Sequence, residues 1–519
     1  MNYSVRDVDT KQAAKGCGVA LVLGVLALVL VSWLASPLVH PFVMTVWKHW
    51  PGWTMLALAG VGLILTLNGR LRFGIPVLVV FALLWLIGVL FGTLWKQESY
   101  LANTDITQLS TEPETTGYRF LPLEVAKTTA TNKTTDSQVT PGEVEPLVVG
   151  DTANWIVPEE PNNFSTKYFG SQPGFLTINT TADTERDTTE FAPGYGICCF
   201  NGRSLWWSSI KRHFFADYVP ESYMTELNGE TVIVQPYSTY YPDFSHVLPV
   251  MVPRFGGVLV FHSDGTSEDL SPEEAASKYP GGRFFPHELA SYFAQSYQLE
   301  NGIWNYLFTH KDQPDVPKLG SSDSKSDSKS NEFPFLIPTQ DGPEWYTAVE
   351  PYGASKSAYM SYYIDATTGE VKTYKFSEPL VGPDRAESFV NNAFNTLKGT
   401  SFYEPRPLVK NGNLYWMLSA SASGTPDVQF TALVDAYSED VIRLDNRQAV
   451  ERVVNGEDPH NVGQVVASSG TPSQSTGAST ESTTPSTSSP SSSDLSTVSD
   501  QDLARILREA ADRLEKTNR

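Results

Sequence analysis

The chain contains little cysteine for its length of 519 residues. Its three cysteines are Cys17 and the adjacent pair Cys198 and Cys199. Neighbouring Cα atoms lie about 3.8 Å apart, which is shorter than the usual Cα separation across a disulfide. A disulfide framework is therefore excluded as the source of stability, and the adjacent thiols are not expected to bridge each other.

Basic residues are scarce relative to acidic ones. The 37 lysines and arginines are outnumbered by 58 aspartates and glutamates, so the formal net charge is -21. The acidic residues lie mostly after residue 100. Proteins that bind nucleic acid neutralise phosphates with a basic surface, so this charge balance argues against a nucleic-acid partner.

The sequence lacks the motifs of catalysis and cofactor binding. It has no Gly-rich phosphate loop and no G-x-S-x-G nucleophile elbow. His287 and Glu288 open half of a zinc-protease helix, but Ser291 stands where the second histidine ligand is required. We therefore expect a protein that is not an enzyme, without catalytic, cofactor-binding or metal-binding residues. The other histidines outside the membrane region are scattered without metal-like spacing: His213, His246, His262, His310 and His460.

Long apolar runs, in contrast, are concentrated near the N-terminus. Residues 18–34, 53–67 and 75–95 contain no charged side chain. With its flanks, each run is long enough to cross a hydrocarbon core about 30 Å thick. The edges of these runs carry tryptophans, which are typical of membrane interfaces: Trp33, Trp47, Trp50, Trp53 and Trp95. We predict three transmembrane helices within residues 17–96.

The basic residues beside these runs predict the orientation. Five lie before the first run or between the second and third, and one lies between the first and second. They are Arg6, Lys11, Lys15, Arg70 and Arg72 on one side and Lys48 on the other. The positive-inside rule then gives a multi-pass protein of the cell membrane with a cytoplasmic N-terminal tail at residues 1–16 and an exterior C-terminal part.

The exterior part divides by composition. A Thr-, Glu- and Asn-rich linker at residues 97–145 reads as a spacer that lifts the next domain off the bilayer. A β-rich domain follows at 146–308, then an exposed insert at 309–333 and a repeat region at 334–466. Residues 467–498 are a Ser/Thr/Pro linker, and residues 499–519 are predicted to form an amphipathic helix.

This C-terminal helix has one apolar stripe, which is predicted to bind a partner. The stripe consists of Leu503, Ile506, Leu507, Ala510 and Leu514. A helix of fewer than six turns that buries nothing is marginal in water. It can pack on its own domain, pair with itself as a coiled coil, or dock into a partner groove, and the flexible linker favours a partner.

Two segments of the repeat region are similar to each other. MSYYIDATTGEVKTY, from residue 360, matches TALVDAYSEDVIRL, from residue 431, with Asp365 aligned to Asp435. Trp345 precedes Asp365 by 20 residues, and Trp416 precedes Asp435 by 19. Helix-like segments come before each copy. The pattern predicts tandem modules in which one helix covers a three-stranded antiparallel sheet.

IDATTGEV, residues 364–371, resembles the D-A-x-T-G-E-V hairpin of the PepSY domain, whereas VDAYSEDV, residues 434–441, lacks its Thr-Gly pair. The resemblance covers residues 285–450, with 309–333 as an insertion. PepSY-type modules occur in peptidase propeptides and in membrane-anchored envelope proteins. The resemblance therefore implies a binding or inhibitory scaffold and transfers no catalytic residues.

Together these features predict an α+β protein with three transmembrane helices and an extracytoplasmic, β-rich region of tandem helix-plus-antiparallel-sheet modules. We expect a membrane-anchored scaffold or accessory subunit of an envelope or virion membrane complex. Its expected partners are the lipid bilayer, other envelope proteins, and further copies of the chain through the spans or the C-terminal helix. Two other functions stay open: a PepSY-type regulator or inhibitor of an exterior peptidase, and a glycan-binding or enzymatic exterior domain.

Overall fold

The computed structural model describes residue 24 and most of residues 36–467. The gaps within this range are residues 135–136, 150–151, 166–173, 181–187, 190–203, 219–221, 317–332, 354, 423–424 and 426. The first predicted span, the three cysteines and the Ser/Thr/Pro linker lie outside the described residues. So do the predicted partner-binding residues Leu503, Ile506, Leu507, Ala510 and Leu514.

Three helices begin the described chain: α1 (Ser36–Lys48), α2 (Trp50–Leu67) and α3 (Leu71–Ala102). Among the described helices, α2 and α3 are the two that are long and apolar enough to cross a membrane. They form an antiparallel hairpin that turns at Gly69, whose φ is +76°. A Cβ on Gly62 would lie 2.4 Å from the backbone nitrogen of Leu78, so the missing side chain lets the two backbones approach closely.

The remaining described residues form four modules, each built from a helix and an antiparallel sheet. Module A contains α4 (Leu123–Lys133), β2 (Val139–Pro141), β3 (Glu145–Val149), β4 (Thr152–Pro161), β5 (Gly174–Asn179) and β6 (Thr188–Thr189). Module B contains α5 (Leu205–Arg212), β7 (Asp217–Tyr218), β8 (Tyr223–Leu227), β9 (Glu230–Asp243), β10 (Val250–His262), β11 (Ser267–Leu270) and α6 (Pro272–Lys278). In module A the strand order is β2-β4-β5-β6, and in module B it is β11-β10-β9-β7, with β3 paired to β4 and β8 to β9.

Modules C and D cover the predicted repeat region. Module C contains α7 (His287–Tyr297), a π-helix (Asn305–Thr309), β12 (Pro314–Asp315), β13 (Phe335–Thr339), β14 (Gly342–Pro351), β15 (Ser357–Asp365) and β16 (Val371–Val381). Module D contains α8 (Pro383–Ala393), β17 (Thr400–Lys410), β18 (Asn413–Ala422), β19 (Val428–Asp435), β20 (Val441–Leu444), α9 (Arg447–Val454), α10 (Pro459–Val462) and β21 (Gln464–Ala467). The α+β class predicted from the sequence is confirmed, and most of its regular structure after α3 is strand.

Local sequence explains the hairpins within the modules. Asn228–Gly229 and Asn411–Gly412 each place two consecutive residues at positive φ, as a two-residue hairpin turn requires. The strands that follow carry apolar residues on both faces because both faces are covered. In module C, Trp345 packs in a core with α7, whereas the next residue, Tyr346, packs in a second core shared with α8 and module D.

Residues 97–145 differ from the expected spacer. Their first part completes α3, and Ile106–Gln108 forms β1, which pairs in parallel with β16 of module C. Their later part forms α4, where Leu123, Ala126 and Ala130 are fully buried in the core of module A. Thr131 is exposed on α4, but Thr129 is fully buried beside these apolar residues, so average composition understated the buried stripe of this segment.

Helix α3 continues without a break from the apolar hairpin into the modules. Near its end, the ring of Tyr100 packs edge-on against Tyr292 of α7, with centroids 5.0 Å apart. Trp95 stacks on His246, which lies between β9 and β10. The hairpin and the modules are therefore joined by a packed helix. The helix also begins at Leu71, so Pro76 lies inside it.

Candidate functional site

The two aligned aspartates occupy equivalent turns. Asp365 Oδ1 accepts hydrogen bonds from the backbone N–H groups of Thr367 and Thr368, at 2.6 and 3.0 Å. Asp435 Oδ1 accepts them from Tyr437 and Ser438, at 2.8 and 3.1 Å. Such bonds are the reason aspartate opens tight turns. The similarity between residues 360–374 and 431–444 therefore corresponds to one local geometry used twice.

A hydrogen bond from a buried tryptophan is the second feature that modules C and D share. Trp345 Nε1 donates to the carbonyl oxygen of Phe285 at 3.1 Å, and Trp416 Nε1 donates to that of Val381 at 2.7 Å. Each carbonyl lies two residues before the first residue of the module's helix. The indole thus ties the sheet to the start of the helix that covers it.

Module A contains the same arrangement, which the sequence comparison did not find. Trp155 Nε1 donates to the carbonyl of Leu121 at 2.8 Å, and Leu121 again lies two residues before its helix. Trp155 follows the first residue of its helix by 32 residues, and Trp416 follows the first residue of its helix by 33. The spacing of tryptophan from a helix start was the signal that would have revealed module A.

A buried cluster of charges joins module A to module D. Glu404 forms ion pairs with Arg406 at 3.1 Å and with Arg119 at 3.6 Å, and its carboxylate also accepts from the backbone N–H of Leu123. All three side chains are at most 5% exposed. The guanidinium of Arg119 lies 4.1 Å from the ring of Trp155. The cluster is closed to solvent and holds modules together, so it is a structural site.

The histidines outside the membrane region do not come together. His213 pairs with Asp269 at 2.6 Å, whereas His262 lies between Glu230 and Glu268 at 3.0 and 3.1 Å. Because Glu268 and Asp269 are consecutive on β11, these two pairs lie on opposite faces of the sheet. The described residues contain no group of three side chains that could hold a metal ion.

Module B contains three pairs of adjacent aromatic residues, at 206–207, 214–215 and 240–241, and their contacts are mainly structural. Trp206 and Phe214 pack against its core. Phe215 instead packs against Trp47 of α1, with ring centroids 5.0 Å apart and the rings tilted by 46°, and Tyr240 donates its hydroxyl to Asp217 at 3.0 Å. A surface depression of about 590 Å³ with polar walls also offers no free cation, because Lys356 pairs with Asp384 at 2.9 Å and Arg385 pairs with Glu439 at 2.7 Å.

An exposed aromatic pair on module C has the properties of a binding surface. Trp304 is 72% exposed and Phe308 is 68% exposed, and their rings stack 5.4 Å apart. Large apolar side chains clustered in water are costly unless a partner covers them. We call Trp304 and Phe308 the aromatic pair. Their four-residue spacing is visible in the sequence, but it lies in the stretch 146–308, whose composition predicts a β-rich domain.

The backbone under the aromatic pair is held by hydrogen bonds. Asn305 Oδ1 accepts from the hydroxyl of Thr309 at 2.7 Å and from the N–H of Lys311 at 3.0 Å, while its amide nitrogen donates to the carbonyl of Lys311. His310 adopts a left-handed conformation and stacks on Tyr352, with centroids 4.2 Å apart. An aromatic surface that is ordered before binding loses little entropy when a partner docks.

A buried carboxylate makes module C sensitive to pH. Glu112, which follows β1, accepts from the hydroxyls of Tyr363 and Ser361 of β15, at 2.8 and 3.2 Å. Burial raises the pKa of Glu112 from 4.5 to about 7, although both hydrogen bonds act in the opposite direction. The folded state therefore favours the neutral acid.

We expect Glu112→Gln to increase stability at pH 8 and to reduce its pH dependence. Because the folded pKa is above the unfolded one, the contribution of Glu112 is fully present below pH 4.5 and is lost as the pH rises through about 7. The loss amounts to at most about 3 kcal/mol. Thermal unfolding of the detergent-solubilised chain at pH 5 and pH 8, followed by tryptophan fluorescence, measures it. Glu114→Gln is the control, and equal pH profiles for Glu112→Gln and the unaltered chain would contradict the assignment.

The comparisons with known proteins were made for the whole chain. No protein-family model matches it, and no curated protein and no solved structure matches it. The arguments about its function therefore rest on the geometry described above: a helical hairpin continuous with repeated modules, and one rigid, exposed aromatic pair.

Proposed function

We propose that this protein is a membrane-anchored scaffold or accessory subunit whose exterior modules bind another protein of the cell envelope. Two apolar helices support the anchor. At 1.5 Å per residue, α2 is about 27 Å long, close to the thickness of the hydrocarbon core. Residues 18–34 add a third span in this proposal, which places the N-terminus in the cytoplasm and the modules outside.

The position of the basic residues supports this orientation. Arg70 and Arg72 lie at the turn of the hairpin, at the opposite end from the modules. Both open ends of the hairpin meet module B: Trp50 Nε1 donates to the sulfur of Met251 at 3.0 Å, and Trp95 stacks on His246. A cytoplasmic turn and exterior modules satisfy the positive-inside rule together.

The modules then rest directly on the bilayer surface. Leu248 reaches the face of α3 at Gly88, so the loop between β9 and β10 lies against the apolar hairpin. In the same loop, Phe244 is 69% exposed and Val247 is 73% exposed. Apolar side chains at this level are stabilised when they enter the membrane interface. A scaffold seated in this way presents the aromatic pair at a fixed distance from the membrane.

The aromatic pair is the observation that carries the protein-binding proposal. Interfaces between proteins are enriched in tryptophan and other aromatic residues at their centres, surrounded by polar groups. Polar residues lie close to Trp304 and Phe308 in the sequence: Asn301, Asn305 and Lys311. The buried charge cluster and the paired histidines have partners within the chain, so they support catalysis or glycan binding less well.

We expect the variant Trp304→Ala/Phe308→Ala to lose a complex that the unaltered chain forms in its native membrane. Removal of central aromatic anchors costs about 2–4 kcal/mol of binding free energy, or a 30- to 1,000-fold weaker complex. Cross-linking in intact membranes, followed by native electrophoresis in mild detergent, measures the loss. The same assay on a chain without residues 499–519 tests the predicted binding by the C-terminal helix.

Phe164→Ala is the matched control, because Phe164 is 71% exposed on module A. Its complex should have the size of the unaltered one. A strictly monomeric chain, with no change on altering the aromatic pair or removing residues 499–519, would rule out the proposed scaffold.

A further inference from the structure

A groove of about 510 Å³ lies where the hairpin meets module B. Its walls are formed by α2, by α3, and by residues 248–251 at the start of β10. Glycines on both helices keep the groove open: a Cβ at Gly52 or Gly92 would meet no atom within 4 Å. The walls farther from module B are apolar and include Trp53, Leu56 and Trp85.

Positive charge is concentrated at the end of this groove that lies nearest module B. The described residues that line it include Lys48, Lys96 and His49 but no aspartate or glutamate. Lys48 is already paired with Asp217. Lys96 Nζ donates to the backbone carbonyl of Lys48 at 3.4 Å, and none of the ion pairs among the described residues includes it. One ammonium therefore faces the groove without a carboxylate to neutralise it.

The spacing of charge and apolar wall matches an amphipathic ligand. Lys96 directly follows the apolar run 75–95, the level at which lipid phosphates lie in a bilayer. Trp85 precedes Lys96 by 11 residues, which places it about 16 Å deeper along the helix axis. The groove thus has a cation, Lys96, at the level of the lipid headgroups and apolar walls at the level of the acyl chains. We call its apolar part the trench.

On this geometry, and resting on the membrane anchoring proposed above, we infer that the groove binds one anionic glycerophospholipid, with its phosphate on Lys96 and an acyl chain along Gly92 and Gly52. The charge of Lys96 distinguishes between two candidate occupants, a phospholipid and the apolar segment 18–34. The apolar segment 18–34 has no acidic side chain, so it would leave the ammonium of Lys96 without a counter-charge. A lipid with a net negative headgroup supplies that charge and fills the apolar trench.

The test uses the full-length protein reconstituted into vesicles of equal parts phosphatidylcholine and phosphatidylglycerol, then released in mild detergent. Native mass spectrometry counts the lipids that remain bound. We expect one retained lipid, with phosphatidylglycerol preferred. Lys96→Gln should reduce that preference about fivefold, and Lys96→Arg should keep it. Gly92→Leu, which fills the trench, should reduce retention of both lipids.

Two matched controls make the corresponding changes elsewhere on the hairpin. Arg72→Gln removes a charge from the other end of α3, and Gly60→Leu adds a side chain where a Cβ also meets no atom within 4 Å. Both should retain lipid as the unaltered chain does. Unfolding temperatures of all variants should agree, which separates loss of lipid from loss of fold.

Four results would overturn the lipid site. In the first, Lys96→Gln keeps the preference for phosphatidylglycerol. In the second, inorganic phosphate displaces the lipid as well as excess phosphatidylglycerol does, which would indicate that the site binds a soluble anion. In the third, no lipid is retained and Gly92→Leu unfolds at a lower temperature, which would indicate that the chain itself fills the groove. A chain that leaves the vesicles in the aqueous phase contradicts the membrane anchor itself, whereas unselective retention contradicts the lipid site alone.

Discussion

Replacing Glu404 with alanine should lower the free energy of unfolding by about 3–5 kcal/mol, because it leaves two buried guanidinium groups without a counter-charge. Glu404 forms ion pairs with both Arg119 and Arg406 and caps the N-terminus of α4 at Leu123. Burial lowers the pKa of Arg406 to about 10 even beside Glu404, which indicates how poorly this site solvates a cation. Denaturant unfolding of the detergent-solubilised chain, followed by tryptophan fluorescence, measures the change.

Glu439→Ala is the control for this prediction. Glu439 pairs with Arg385, but the two side chains are 26% and 41% exposed. Exposed ion pairs contribute about 0–1 kcal/mol, so this variant should unfold almost as the unaltered chain does. Equal stability of the two alanine variants would show that the cluster does not join modules A and D as described.

Replacing Trp416 with alanine should also cost about 3–5 kcal/mol, the usual cost of removing a large buried aromatic side chain. Trp416 is fully buried in the core that modules C and D share, and its indole donates to Val381 just before α8. Trp416→Phe separates the two contributions. It keeps most of the buried ring but leaves the buried carbonyl of Val381 without its donor, at about 1–3 kcal/mol.

The exposed Trp304 provides the comparison for this series. Trp304→Ala should change the free energy of unfolding by less than about 0.5 kcal/mol, as expected for a surface side chain. The same denaturant unfolding experiment compares all three variants. A cost for Trp304→Ala as large as that for Trp416→Ala would show that the aromatic pair is part of a core and would remove the basis for its proposed binding.

Trp416 and Trp304 show that residue type alone does not distinguish a buried aromatic side chain from an exposed one. Both stand in segments rich in aromatic residues. Trp416 is buried in the core that modules C and D share, while Trp304 directly precedes a π-helix that is held by hydrogen bonds to Asn305. The irregular backbone depends on a few side-chain contacts, and no periodic pattern encodes it.

Features that depend on nearby residues were predictable from the sequence alone. The apolar runs behind α2 and α3, the Asp-opened turns at Asp365 and Asp435, and the α+β class follow from hydropathy and short-range hydrogen bonds. Each depends on contacts within a few residues or on a repeated spacing, which a single chain displays directly.

Contacts between distant segments could be learned only from the folded chain. Glu404 caps a helix 281 residues earlier, β1 adds to a sheet completed at residue 381, and the groove beside Lys96 is closed by the start of β10. The composition of residues 97–145 indicated a spacer because their few apolar side chains cannot form a core alone. They are buried because the strands of module A and residues of modules C and D supply the opposing surfaces, and that complementarity exists only in the assembled fold.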